Sequence, residues 1–181
     1  MAGQRIYSSA GHHLGDPGAI GIDGRKESTE CIIFRDLVNA ELHRIGISPV
    51  SDDDRETLGQ YLGRISPNEK DVVVEVHFNA FNGKASGVEV LISDNASHAS
   101  SALAGEIAGG FAKIMGITNR GVKKESQSAR GRLALMRERG TVCLIEICFI
   151  DNRSDMRAYD NNRDSLARFL AQVISRYDIE R

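Results

Sequence analysis

No stretch of the sequence approaches the roughly 20 consecutive apolar residues that span a bilayer, so no membrane segment is expected. The start, Met1 to Gly11, lacks the basic stretch and apolar core of a signal peptide, which points to a protein made in a cytoplasm. Charge of one sign is also missing: 23 Lys and Arg face 25 Asp and Glu, and the basic residues are scattered rather than clustered. That excludes an electrostatic footprint for nucleic acid or anionic lipid. Cysteine is scarce, and Cys31, Cys143 and Cys148 all sit in apolar segments, as expected of core packing rather than a disulfide or zinc knuckle. Repeats, low-complexity tracts and linkers rich in Pro and Ser are absent, so residues 1–181 are expected to form one domain.

What is present fits a globular chain, with 41% hydrophobic and 27% charged residues. Residues 5–9 read as a strand that runs into a glycine-rich turn, Gly11-His12-His13-Leu14-Gly15-Asp16-Pro17-Gly18. From Glu27 to Ile45, Cys31, Phe34, Val38, Leu42 and Ile45 recur at helical spacing, and Gly46 ends the run. A short strand at 47–50 and a helix at 55–65 follow. Residues 71–79 are β-branched and nearly continuous, the pattern of a central strand with both faces covered, and 87–93 resembles a neighbouring strand. A helix is expected at 96–115, a short strand at 132–136, another buried strand at 141–150, and a terminal helix at 164–177. This alternation predicts an α/β fold, a single domain with a twisted, mostly parallel or mixed central sheet flanked by helices.

Three polar groups lie in apolar surroundings, where burial is costly unless something compensates them: His12, His77 and Glu146. Strand alternation puts Val73, Glu75, His77 and Asn79 on one face of their strand. Taken alone, a histidine such as His77 is more often a hydrogen-bonded core residue than a metal ligand. Glu27 falls within roughly 20° of the centre of its helix's apolar stripe, whereas Glu30 lies about 80° away, so Glu27 faces the core and Glu30 its flank. An inward carboxylate at a helix start could also serve only the helix dipole. Together, two imidazoles and a carboxylate suit tetrahedral Zn²⁺ with the fourth position left for water, as in catalytic rather than structural sites.

Gly11-His12 followed by Asp16-Pro-Gly-Ala-Ile-Gly-Ile-Asp-Gly-Arg-Lys-Glu27 resembles the opening of the N-acetylmuramoyl-L-alanine amidase family 3. Glu75-Val-His-Phe-Asn-Ala80, Ala85-Ser-Gly-Val-Glu-Val90, Arg132-Leu-Ala-Leu-Met-Arg137 and Leu144-Ile-Glu-Ile-Cys-Phe-Ile-Asp-Asn152 resemble its later motifs, in order, over nearly the whole chain. The resemblance implies one Zn²⁺ per chain held by His12, Glu27 and His77, and Glu146 as the catalytic glutamate. It implies hydrolysis of the amide between N-acetylmuramic acid and L-alanine in bacterial peptidoglycan or muropeptides. The substrate groove is expected near residues 13–26 and 123–131. A phage or prophage lysin, or another cell-wall lytic enzyme reaching the wall by release or separate export, is the expected setting. His13 and Cys148 depart from the family pattern at positions where glycine is common, and His12 is chosen over His13 because Gly11 precedes it. His43 and His98 read as helix-surface residues, and Glu75 could orient a ligand or form a structural salt bridge.

Overall fold

A computed structural model describes residues 4–177. Six strands form one mixed sheet in the order β2-β1-β3-β6-β4-β5. They are β1 (Ile6–Ala10), β2 (Val50–Ser51), β3 (Val72–Asn79), β4 (Val88–Ile92), β5 (Asn119–Lys124) and β6 (Thr141–Phe149). All neighbours run parallel except β4 and β6, which are antiparallel. The expected α/β class and mixed sheet are therefore observed. The ends of the single domain expected over 1–181, including the last residues near Arg181, lie outside the described residues.

Helices α1 (Glu27–Arg44), α3 (His98–Met115) and α4 (Arg153–Arg176) cover one face. There Val72, Val74, Val76 and Phe78 of β3 pack with Phe34, Val38, Leu103, Phe111, Tyr159 and Leu170. The opposite face is covered more thinly. Val73, Tyr7, Leu91, Val142 and Leu144 pack under Leu62 and Ile65, which flank the end of the short α2 (Leu58–Arg64), and under Leu133, Leu135 and Met136. This cover stops before the C-terminal half of β3, so Glu75, His77 and Asn79 continue the thin face into a groove. α2 is fixed by a capping box in which Thr57 and Gln60 satisfy each other's backbone N–H groups. The three cysteines are buried and unpaired, as expected.

Four local expectations are corrected. Residues 132–136 form no strand; Ala134–Arg137 is a single 3-10 turn. Both edges of β6 are already paired, to β3 and β4, so this segment can only lie across the sheet face, with Leu135 and Met136 buried. α4 begins eleven residues before the expected Asp164, because Asn152 caps it by accepting the N–H groups of Ser154 and Asp155. Its early turns are so polar that only Met156 and Tyr159 reveal their buried stripe. β5 was not expected at all: Asn-Arg-Gly-Val-Lys-Lys has no apolar alternation, and its lysines suit an exposed sheet edge. The strand expected at 47–50 is reduced to Val50–Ser51.

Candidate active site

The three proposed metal ligands come from three elements that end at the same edge of the sheet. β1 runs into the turn carrying His12, α1 begins at Glu27, and β3 brings His77 to its C-terminal end. Ligand atoms from these three residues lie within 4.8 Å of one another. His12 Nε2 is 3.1 Å from Glu27 Oε2, and His77 Nδ1 is 2.9 Å from Glu27 Oε1. The Glu27 carboxylate is further fixed by the N–H groups of Ala19 and Phe78.

Each imidazole has a second carboxylate behind it. His12 Nδ1 is 2.8 Å from Asp16 Oδ2, and His77 Nε2 is 2.8 Å from Glu75 Oε1. All four ring nitrogens thus face carboxylate oxygens, which only doubly protonated rings can satisfy as donors. Hydrogen bonding to Glu27 pushes the His12 pKa up. Burial opposes charge on His77, yet its bonds to Glu27 and Glu75 push it up to about 10. Burial likewise opposes charge on Glu27, but the two imidazoles hold its carboxyl well below the usual carboxylate range. The donor set therefore fits a divalent cation: His12 Nε2, Glu27 and His77 Nδ1 would hold it in place of the two inward protons, and Asp16 and Glu75 would keep the outward ones.

The backbone is shaped to bring these side chains together. His12 itself has a positive φ of 66°. A Cβ on Gly11 would stand 2.3 Å from His77 Cε1, and one on Gly18, whose φ is also positive, would stand 2.7 Å from Glu27 Oε2. Only glycine lets the turn approach both ligands this closely.

Glu146 lies opposite His77 in the β3–β6 register, so both point to the same face. Its Oε2 is sealed from solvent and has no hydrogen-bond partner among the described residues. Burial pushes its pKa up to about 7, against the opposing influence of the His77 charge. The four site residues expected from the sequence thus converge on one groove of about 1180 Å³. That groove is lined by residues of the expected 13–26 and 123–131 segments and also by Thr57–Gly59 and residues near Phe81. His13 stays outside the cluster, its Nδ1 accepting the Gly15 N–H, and Glu30 is tied to Arg25. Glu75 is both buried and bonded to His77, which suits orientation of the ring.

Two features were missed in the sequence. Asp16 sits within the quoted motif, and its spacing of four from His12 was the available signal. Arg120, Glu89 and Asn79 also line the groove, and Arg120 lies on the unexpected β5, where no pattern marked it.

The fold and site define a mixed α/β sheet with a His-Glu-His cluster and, beside it, a glutamate with one sealed, unpartnered oxygen. The chain belongs to the N-acetylmuramoyl-L-alanine amidase family, whose sequence model matches residues 6–176. It is similar to the uncharacterized protein YqiI of Bacillus subtilis (strain 168), with 31% identity over 159 residues covering 86% of this chain and 74% of that protein. Among solved structures it resembles Cwp6 from Clostridium difficile, with a TM-score of 0.81 and 23% identity, covering 96% of this chain but only 29% of that one. It also resembles the N-acetylmuramoyl-L-alanine amidase AmiC2 of Nostoc punctiforme, with a TM-score of 0.79 and 23% identity, covering 100% of both chains. At these identities the two structures speak for the fold.

Proposed function

We propose that the chain is a zinc-dependent N-acetylmuramoyl-L-alanine amidase, hydrolysing the amide that joins N-acetylmuramic acid to the first residue of the stem peptide in bacterial peptidoglycan or muropeptides. The observation that carries this reading is the convergence of His12, Glu27 and His77 beside an unpartnered, buried oxygen of Glu146 in one groove. Family membership supports the substrate class.

His12, Glu27 and His77 would hold Zn²⁺, which when bound polarises the scissile carbonyl and acidifies water. Asp16 and Glu75 fix the two rings through their outward nitrogens. Glu146 takes a proton from the attacking water and returns it to the departing L-alanine nitrogen, so that the C–N bond breaks with a neutral amine leaving. Burial raises the pKa of this carboxyl, which favours its holding the proton between the two transfers. In this reading the chain is a cell-wall lytic enzyme of the lysin or autolysin kind.

Zinc content and release of stem peptides from purified peptidoglycan, with and without chelator, test the proposal. Chelator-sensitive release with new L-alanine amino termini is expected. Bound zinc without release would refute the amidase assignment. Glu146→Gln should retain zinc and lose turnover by at least about a hundredfold; near-normal turnover would remove Glu146 from the chemistry, and loss of zinc would make it a ligand.

A further inference from the structure

Beside Glu146 the groove opens into a side recess of about 330 Å³, lined by Glu89, Leu91, Arg120, Lys123, Gln127 and Ser128. Its main cation is unusually well fixed for a surface residue. Arg120 Nε donates to Glu89 Oε2 at 2.7 Å, and the guanidinium carbon lies 5.0 Å from the centre of the Phe149 ring. The other Glu89 oxygen accepts from Asn79 Nδ2 at 3.0 Å, so both oxygens of the anchoring carboxylate are occupied. The two Nη groups of Arg120 make no hydrogen bond among the described residues, and the side chain is 37% exposed. A guanidinium held by Nε and by a ring face, with its Nη edge free, is preorganised for an oxyanion or a planar carboxylate.

The location narrows the ligand. Glu89 and Glu146 are directly opposite on β4 and β6, a pairing that puts their Cβ atoms about 5 Å apart. Arg120 lies one ion pair beyond Glu89. A peptide leaving the bond beside Glu146 therefore reaches the recess within about two residues, at about 3.5 Å each. We infer that Arg120 is a specificity residue that binds a free carboxylate one residue beyond the L-alanine, so that the chain prefers stem peptides carrying this carboxylate over those in which it is amidated. This deepens the amidase reading and rests on it.

Two soluble N-acetylmuramoyl-L-alanyl-γ-D-glutamyl-L-lysine peptides, identical except that the glutamyl α-carboxyl is free in one and a carboxamide in the other, separate the possibilities. The zinc-loaded wild-type chain should cleave the carboxylate form with kcat/KM about tenfold to a hundredfold higher, chiefly through KM. Arg120→Met should bring the ratio to about one. Arg120→Lys, which keeps the charge but loses the fork, should fall between. Equal cleavage of the two peptides by wild type, or an undiminished preference in Arg120→Met, overturns the inference while leaving the amidase reading standing. A wild-type chain that binds zinc but neither cleaves these peptides nor releases stem peptides from peptidoglycan overturns both. Should Arg120→Met not fold, Arg120→Lys decides in its place: a preference as large as that of wild type overturns the inference.

Discussion

Replacing Arg35 with methionine tests how the first histidine is held. Arg35 lies on α1 and is buried, with Nη1 3.0 Å from Asp52 Oδ1 and Nη2 2.6 Å from Asp54 Oδ1. Asp52 Oδ1 also accepts the Ala10 N–H, and the Asp54 carbonyl accepts the Leu14 N–H. The segment 10–14, with His12 at a positive φ in its middle, is thus clamped at both ends by a loop that Arg35 ties to α1. Both side chains of the Arg35–Asp52 pair are only 5% exposed, so solvent screens it little. Removing one partner of such a pair leaves an uncompensated buried charge, which costs about 3–5 kcal/mol. For a domain of this size that corresponds to a fall in Tm of roughly 6–20 °C in the metal-free chain. Below the transition, a loosened His12 should weaken zinc binding by about ten- to a hundredfold, read by competition with a chromophoric chelator. Arg35→Met combined with Asp52→Asn removes the stranded charge and should recover much of the Tm. A Tm change below about 2 °C in the single variant would refute the energetic argument. A large Tm change with unaltered zinc affinity would refute the clamp and leave Arg35 a purely structural residue.

Three further outcomes are expected. Without metal, the bonds of His77 to Glu27 and Glu75 push it up to about 10, so its ring carries the inward proton at neutral pH, and the bond to Glu27 makes His12 hold its own proton more strongly than a free imidazole. Zinc binding at pH 7 should then release about one to two protons and weaken as pH falls, measured by calorimetry in buffers of different ionisation enthalpy; binding without proton release would contradict the ligand atoms assigned. Gly11→Ala should abolish high-affinity zinc binding, since its Cβ would meet the His77 ring, which Glu27 and Glu75 hold on both sides; wild-type affinity in that variant would show that the turn can move. The three thiols should resist a disulfide reagent in the native chain and react fully after denaturation, because burial pushes Cys143 up to about 12 and Cys31 and Cys148 well above their ordinary value; rapid native labelling would mean that the core opens.

Much of the site was legible because its residues break local hydrophobic patterns. Glu27 stands in the apolar stripe of α1, and His77 and Glu146 interrupt two of the most apolar strands, so periodicity alone aimed them at the interior. Helix α1 and strands β3, β4 and β6 were readable for the same reason: their burial is set by repeats within each segment. Other features depend on what lies alongside, which no local pattern carries. Residues 132–136 alternate like a strand, yet β3 and β4 occupy both edges of β6 and leave only the sheet face. β5 has no apolar alternation and becomes a strand because β4 offers it a free edge.

By itself the sequence determined the α/β class, the inward side chains and their order along the chain, because each depends on spacing over a few residues. Only the tertiary structure decided that Asp16 and Glu75 stand behind the two imidazoles, that Arg35 ties the His12 turn to α1, and that Arg120 is pinned beside Glu146. All but the Asp16 and Glu75 contacts join residues far apart in sequence, and in every case hydrogen-bond geometry is fixed by how strands and turns meet in space rather than by residue type or local period.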